Sequence, residues 1–468
     1  MHGNNQRSKR LGGTSVFEQY TFFRLRAIFL SFVAPPVLQH PGDGPPACSR
    51  PVTTMALQLA ATGFVSSDSG SMAGANGLLL KALLERGCRV DFFSKPGFVD
   101  PRPVVGEHAN FRFHNTANTF ADGLRRKVEA VPLIGALACR WDSATYNAAL
   151  LRAIARAHSR RPFDLCLWLG DYARGRVSGL PNVAFAQGPP GTDARSISRH
   201  FDQIKQLSGL LAAWKWRCMA RVRLSPFGLP PFRFSDHVIV GSSQSKTTLV
   251  EKFGFGDSRI STSPYPVDLS AFQPSAGMRI PGTLRCLWLG RIVPRKRLDL
   301  FLSAAELGVS RGLDVRLTIA GDVRLIPGYG RLIEGFRYPD RLVWRRQVPR
   351  DEVPDLIRRH DVLVQPSEEE DFGSSVAEAQ ACGIPVIVGP TNGNRDYLSA
   401  RDIVLREGTA ANLCDAMIAI SQCGEGPDAT AVSRLAAGKY FQPGRVADQI
   451  LKILESQKCC TRKMGAGL

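Results

Sequence analysis

The chain holds no CxxC pair, no zinc-ligand spacing and no uncharged apolar run of about eighteen residues. Its 11 cysteines are scattered, apart from the adjacent Cys459 and Cys460. These absences argue against a disulfide-stapled module, a structural zinc domain and a spanning helix, and they fit reduced thiols in the cytoplasm. No GxGxxG follows a strand with an acid about twenty residues on, which disfavours a dinucleotide oxidoreductase. No Asp-x-Asp pair is present, so no metal site is expected. Acids are in deficit: 41 Asp+Glu face 60 Lys+Arg, a net charge of +19. That balance favours anionic partners such as nucleotide phosphates or an anionic membrane surface. No recognised nucleic-acid motif accompanies the charge, so nucleic acid is not an expected partner.

What is present is length and alternation. At 468 residues the chain exceeds one ordinary core. Residues 1–54 carry a basic stretch, a short apolar run broken by two prolines, and a Pro/Gly-rich end. They read as a leader, either signal-like or disordered, with the second preferred because the rest looks cytosolic. From Met55 on, short apolar strands alternate with helical lengths: 55–62, 89–94, 164–170, 183–188 and 237–242. A Pro/Gly/Ser-rich linker at 266–283 follows. A second series then begins: 284–290, 315–321, 341–348, 361–367 and 384–390. The alternation predicts βαβ units on parallel sheets. The expected domains are 55–265 and 284–445, with a C-terminal helix and tail at 446–468. Two such sheets leave a cleft between their carboxyl edges, where ligands bind.

The stretch "PSEEEDFGSSVAEAQACGIPVIVG" (366–389) lies at such an edge. Gly373 permits a tight turn, Ser374 or Ser375 suits a helix N-cap, and Gly383 suits the residue after the helix. Free N–H groups at Gly373, Ser374 and Ser375 would hold an anion, while carboxylates would accept hydroxyls. Glu368 and Glu369 are expected on a solvated loop, complementing the helix dipole.

These residues carry a resemblance. Glu370 and Glu378 have the E-x7-E spacing of the retaining glycosyltransferases of family 4, and "LGRIVPRKR" resembles that family's Gly-Arg strand end with a Lys five residues on. "LTIAGD", "DEVPDLIRRHDVLVQPS", "YPVDLSAFQP" and "SGSMAGANGLLLKALLERGCRV" fall in the family's order, across most of residues 55–450. The resemblance implies an α/β fold of GT-B type: two doubly wound Rossmann-like domains facing each other across a cleft. It implies that Arg291 and Lys296 neutralise a donor diphosphate and that Glu370 holds hydroxyls of the transferred sugar. Glu378 would accept from the ribose. Gly70, Gly290, Val348, Phe372, Gly373, Ser374 and Ser375 would complete the donor site. No cofactor is implied, since the nucleotide sugar is a substrate. Three departures stand out: Arg297 replaces a Gly, Gln347 precedes Val348, and Gln187 stands near a position where many members have His. His200 would be a substitute only if its loop folded back, and the ordinary reading of such a histidine is a surface residue. Arg295 and Arg297 read as solvated.

The stretch 202–226 places Ile204, Leu207, Leu211, Trp214, Cys218 and Val222 on one helical face, with Lys205, Lys215, Arg217, Arg221 and Arg223 around it. It reads equally as a membrane-surface helix or as a domain helix with its face in the core. The implied activity is sugar transfer from a nucleotide sugar to a saccharide or lipid-linked acceptor in surface polysaccharide or glycolipid synthesis. The expected location is cytoplasmic, with peripheral contact at the inner face of an anionic membrane. The alternatives are a non-catalytic nucleotide-binding protein of the same fold and a sugar-nucleotide epimerase.

Overall fold

The structure, a computed structural model, describes residues 56–65, 72–94, 100–116, 132–225, 232–274, 280, 282–323, 326–423 and 427–465. The proposed leader, 1–54, lies outside them, as does Gly70.

Seven parallel strands form the first sheet: β1 Gln58–Gly63, β2 Arg89–Ser94, β3 Phe111–Asn115, β4 Leu165–Leu169, β5 Asn182–Phe185, β6 His237–Val240 and β7 Ile260–Thr262. Their order is β3-β2-β1-β4-β5-β6-β7. Six more form the second: β8 Thr283–Leu289, β9 Asp314–Ala320, β10 Leu342–Arg345, β11 Val362–Gln365, β12 Val386–Val388 and β13 Ile403–Val404, in the order β10-β9-β8-β11-β12-β13. Strands β4, β5, β6, β11 and β12 are buried along their whole length, as in "LCLWL" and "VLVQ". Strands covered on both faces read as continuous apolar runs. Strand order reverses between β1 and β4 and again between β8 and β11. Loops leaving the carboxyl ends there open a crevice for ligands.

The sheets are covered by helices. Those that matter for the site are α1 (Met72–Glu85), α2 (Pro132–Arg160), α3 (Thr192–Arg199), α4 (Phe201–Ser208), α5 (Leu210–Leu224), α6 (Ser243–Phe253), α7 (Leu298–Ser310), α8 (Ser374–Ala381) and the last helix, α9 (Pro443–Gly465). Helix α9 returns to the first domain and packs on α1. There Arg86 Nη2 donates to Asp448 at 3.0 Å, and Lys458 pairs with Asp164 at 2.8 Å.

The single helix expected across 202–226 is two. Gly209, at φ 83° and ψ 163°, leaves helical space and separates α4 from α5. The break rotates the expected stripe apart. Ile204 is fully buried, whereas Leu211 is 87% exposed, and Trp214 and Val222 are exposed too. The buried side of α5 is formed by Ala213 and Ala220. Helices α3 to α5 are coded between β5 and β6, yet Ala194, Ile197, Ile204, Ala213 and Ala220 belong to the apolar cluster of the second domain, with Trp288, Phe301 and Tyr329. Tyr329 donates its hydroxyl to Gln203 at 2.6 Å, and Arg331 donates to the Leu207 carbonyl at 2.7 Å.

The sheets also meet through a chain of rings. Tyr265 lies 5.0 Å from Phe185 and 4.9 Å from Phe372, and Phe372 lies 5.4 Å from Phe441. Aromatic pairs at such spacings add about 0.5–1.5 kcal/mol each beyond their area.

Candidate active site

Two loops leave the switch point of the second sheet. The first follows β8. Gly290, at φ 151°, leads through Arg291 into a short turn at Pro294–Lys296, and Arg297 closes it in left-handed backbone. The second follows β11 and carries Glu368 to Gly373 into α8. Gly373 is itself the N-cap, at φ 73°, so Ser374 and Ser375 are the first helical residues and neither caps the helix. Ser375 instead accepts from Gln365 Nε2 at 2.9 Å. Among the described residues, the amides of Gly373, Ser374 and Ser375 have no hydrogen-bond acceptor. Such amides at a helix start attract anions.

The acids of the second loop are not solvated, contrary to the expectation for Glu368 and Glu369. Each meets cations, several of them from helices coded in the first half. Glu368 pairs with Arg199, with His200 at 3.2 Å and with Arg297 at 2.8 Å. Glu369 pairs with Arg195 at 2.7 Å, Arg199 at 2.8 Å and Lys252 of α6 at 3.7 Å. Burial opposes the charge on Glu368, but His200 and Arg199 outweigh it and hold the carboxyl at about 2. His200 is thus a partly buried partner of the acidic loop, not a surface residue.

Glu370 is the most enclosed. Its Oε2 lies 2.7 Å from Arg295 Nη1 and 2.5 Å from Lys296 Nζ. A lone buried carboxylate would cost several kcal/mol, so two cations are needed to keep it ionised. Burial raises its pKa, yet Arg295 and Lys296 bring it down to about 2. Burial lowers Lys296 to about 8, against the pull of Glu370. Arg295, expected in solvent, is buried. Its Nε donates to Asp193 of α3 at 2.7 Å, and Arg291 lies 3.6 Å from the same carboxylate. The solvated reading of Arg297 fails as well, since it pairs with Asp299 at 3.1 Å besides Glu368.

Asp371 points into the first domain. It accepts from the Tyr265 hydroxyl at 2.6 Å and from the Gly241 amide at 3.1 Å. Burial pushes it up to about 6 despite those donors and Ser245. Phe372 is buried in the ring chain, so its side chain serves the core and only its backbone borders the loop. Glu378 is buried on α8, with Arg350 Nη2 at 2.6 Å, and Val348, two residues before Arg350, lies half-buried on the loop after β10.

The structure therefore gathers Gly290, Arg291, Lys296, Glu370 and the start of α8 at one sheet edge. Asp193, Arg195, Arg199, Arg350 and Asp371 are the residues that sequence reasoning missed. Among the described residues, no three His, Cys, Asp or Glu side chains are grouped so as to hold a metal ion, and the acids of the loop are taken up by cations or hydrogen-bond donors.

Residues 281–432 match the model of the family described as Glycosyl transferases group 1. The whole architecture is similar to solved glycosyltransferases. The Anabaena protein HepE, in complex with UDP and glucose, superposes with a TM-score of 0.54 over 86% of this chain and 100% of that one, at 15% identity. Sucrose-phosphate synthase from Thermosynechococcus elongatus gives 0.58 over 86% and 100%, at 19% identity. Among curated proteins, the D-inositol 3-phosphate glycosyltransferase of Pseudarthrobacter chlorophenolicus is 32% identical over 39% of this chain and 47% of its own length. That of Rhodococcus erythropolis is 25% identical over 74% and 77%. The chain spans about half the length of the first of these relatives. The fold is GT-B, two parallel-sheet domains enclosing a cleft. Residues 281–432, most of its second domain, are similar to the group 1 glycosyl transferases.

Proposed function

We propose that the chain is a retaining glycosyltransferase, moving a sugar from a nucleotide-sugar donor to a hydroxyl of a saccharide or lipid-linked acceptor. The observation that carries this reading is the meeting of Arg291, Lys296, Glu370 and the unpaired amides of Gly373, Ser374 and Ser375 at the switch point of the second sheet. The two cations and the amides would take the diphosphate and stabilise the charge that develops as it leaves, without a metal. Glu370, held ionised by its neighbours, would accept sugar hydroxyls and favour positive charge at the reacting carbon. Glu378 would hold the ribose and Val348 would border the base. Transfer would occur on one face: a donor phosphate oxygen takes the acceptor proton as the new bond forms, and the nucleoside diphosphate leaves.

The acceptor side includes a membrane surface in this reading. Among the described residues no helix is long and apolar enough to cross a membrane. Helix α5, however, turns Leu211, Trp214, Cys218 and Val222 outward along one side, with Lys215 and Arg221 on its flanks. An apolar strip with a basic rim suits an anionic lipid surface.

The test is a screen of nucleotide sugars for hydrolysis and for transfer to phosphorylated polyols, such as those named for the relatives, and to saccharides. The anomeric configuration of the product would be read by NMR. Turnover with retention is expected. Inversion would overturn the mechanism, and binding without turnover would favour a non-catalytic nucleotide-binding role. Activity in EDTA should match that without it, and rescue by Mg²⁺ or Mn²⁺ would count against the cation assignment.

A further inference from the structure

Asp193 stands at the second position of α3 and aims its carboxylate at the first loop of the second domain. It reaches that place because α3 is anchored by Ala194 and Ile197 in the apolar cluster of the second domain, so the approach is built into the packing. Three cations and two carboxylates form one network there: Asp193 with Arg291 and Arg295, and Glu370 with Arg295 and Lys296. The links differ in strength. Arg295, Lys296 and Glu370 side chains are only 10–12% exposed and lie within 2.7 Å of their partners. The Arg291–Asp193 contact is looser, at 3.6 Å, with the two side chains 37% and 26% exposed. Carboxylate and phosphate present the same oxygen pattern to a guanidinium. An entering diphosphate therefore meets a carboxylate already seated on the cation that would receive it, at the most open link of the network.

We propose that Asp193 is a built-in competitor for the diphosphate of the nucleotide sugar: it holds Arg291 in the empty site, is displaced on binding, and returns to help expel the nucleoside diphosphate. The inference rests on the assignment of Arg291 and Lys296 to the diphosphate. Asp193 is on this account a positioning residue, and its removal tightens the site. The effect should reach KM for the donor and the release of product more than the chemical step.

The experiment is calorimetric titration of the full chain with UDP, GDP and ADP, comparing wild type with Asp193→Asn, Asp193→Glu and Arg291→Ala. Asp193→Asn should bind the preferred diphosphate about three- to tenfold more tightly, the scale of one partly exposed ion pair. Asp193→Glu should stay near wild type, and Arg291→Ala should weaken binding. If Asp193→Asn binds equally or more weakly while Arg291→Ala is impaired, Asp193 is only a structural tie and the proposal fails, while the donor assignment stands. If neither variant alters binding of any diphosphate, the donor assignment itself fails, and the competitor with it. A melting curve for each variant separates loss of fold from loss of site.

Discussion

Arg297 and Glu369 are the two non-glycine residues in left-handed backbone among those described, at φ 51° and 49°. Both lie in the loops of the site, and each is tied down by ion pairs. For an L-residue that conformation costs about 1–2 kcal/mol. The resemblance leads one to expect Gly at 297, and the backbone shows why, since Gly takes this φ freely. Arg297 recovers the cost through Asp299 and Glu368. Arg297→Ala should therefore destabilise more than Arg297→Gly, by about 1 kcal/mol, because Ala keeps the strain and loses the pairs. Urea titration of the two variants measures it, and equal midpoints would refute the account. Glu370→Gln should cost about 3–5 kcal/mol, since it leaves Arg295 and Lys296 buried without their counter-charge. The spacing of Glu370 and Glu378 was visible in the sequence because it is set by one loop and one helix. The partnership of Asp193 with Arg295 was not, because it joins residues 102 positions apart. Nothing local marks an aspartate for a distant partner.

At the scale of elements, apolar runs such as "LCLWL" of β4 and the "CLWL" that ends β8 announced the central strands. The edge strands β3, β7 and β13 were missed: "FRFHN" alternates weakly, and β7 and β13 are three and two residues long. Gly209 was the most consequential omission, because an apparent single stripe hid a turn. With the helix broken, the core reading holds for α4 and fails for the outer side of α5. Each basic residue placed near an anionic bilayer contributes roughly 1 kcal/mol. The full chain should co-sediment with phosphatidylserine-containing vesicles at low salt and less at high salt, as charge screening shortens the attraction to about 8 Å or less. Replacing the exposed Lys215 and Arg221 with Gln, or Leu211 with Asp, should reduce binding several-fold without altering the melting temperature. Indifference of the wild-type chain to such vesicles would remove the membrane from the proposed function.

At the scale of the molecule, the acidic loop at the cleft holds groups that titrate in opposite senses. Glu370 and Glu368 sit below their ordinary range, so their stabilisation is present above about pH 4.5 and fades as pH falls towards 2. Asp371 is raised to about 6, so its contribution is full below its ordinary value near 3.8 and is lost as pH rises through 6. When it protonates, the Tyr265 hydroxyl can turn to the Ala186 carbonyl, 2.9 Å away, and accept from the acid. Thermal stability should thus peak near pH 4.5 and decline towards about 6. Asp371→Asn, which mimics the protonated acid, should flatten the decline above pH 5. A decline that persists unchanged in Asp371→Asn would assign it to another group.

The lodging of α3 to α5 in the second domain also sets an order of events at birth. From Leu224, the end of α5, to Gln365, the end of β11, the ribosome must add 141 residues. At about 5–20 residues per second this takes roughly 7 to 28 s. Early in that interval Ile197, Ile204 and the small residues of α5 await Trp288, Phe301 and Tyr329, while the first sheet is still gaining β6 and β7. The nascent chain therefore carries a greasy arm without its full cover while those 141 residues are added, a window in which exposed apolar surface invites association.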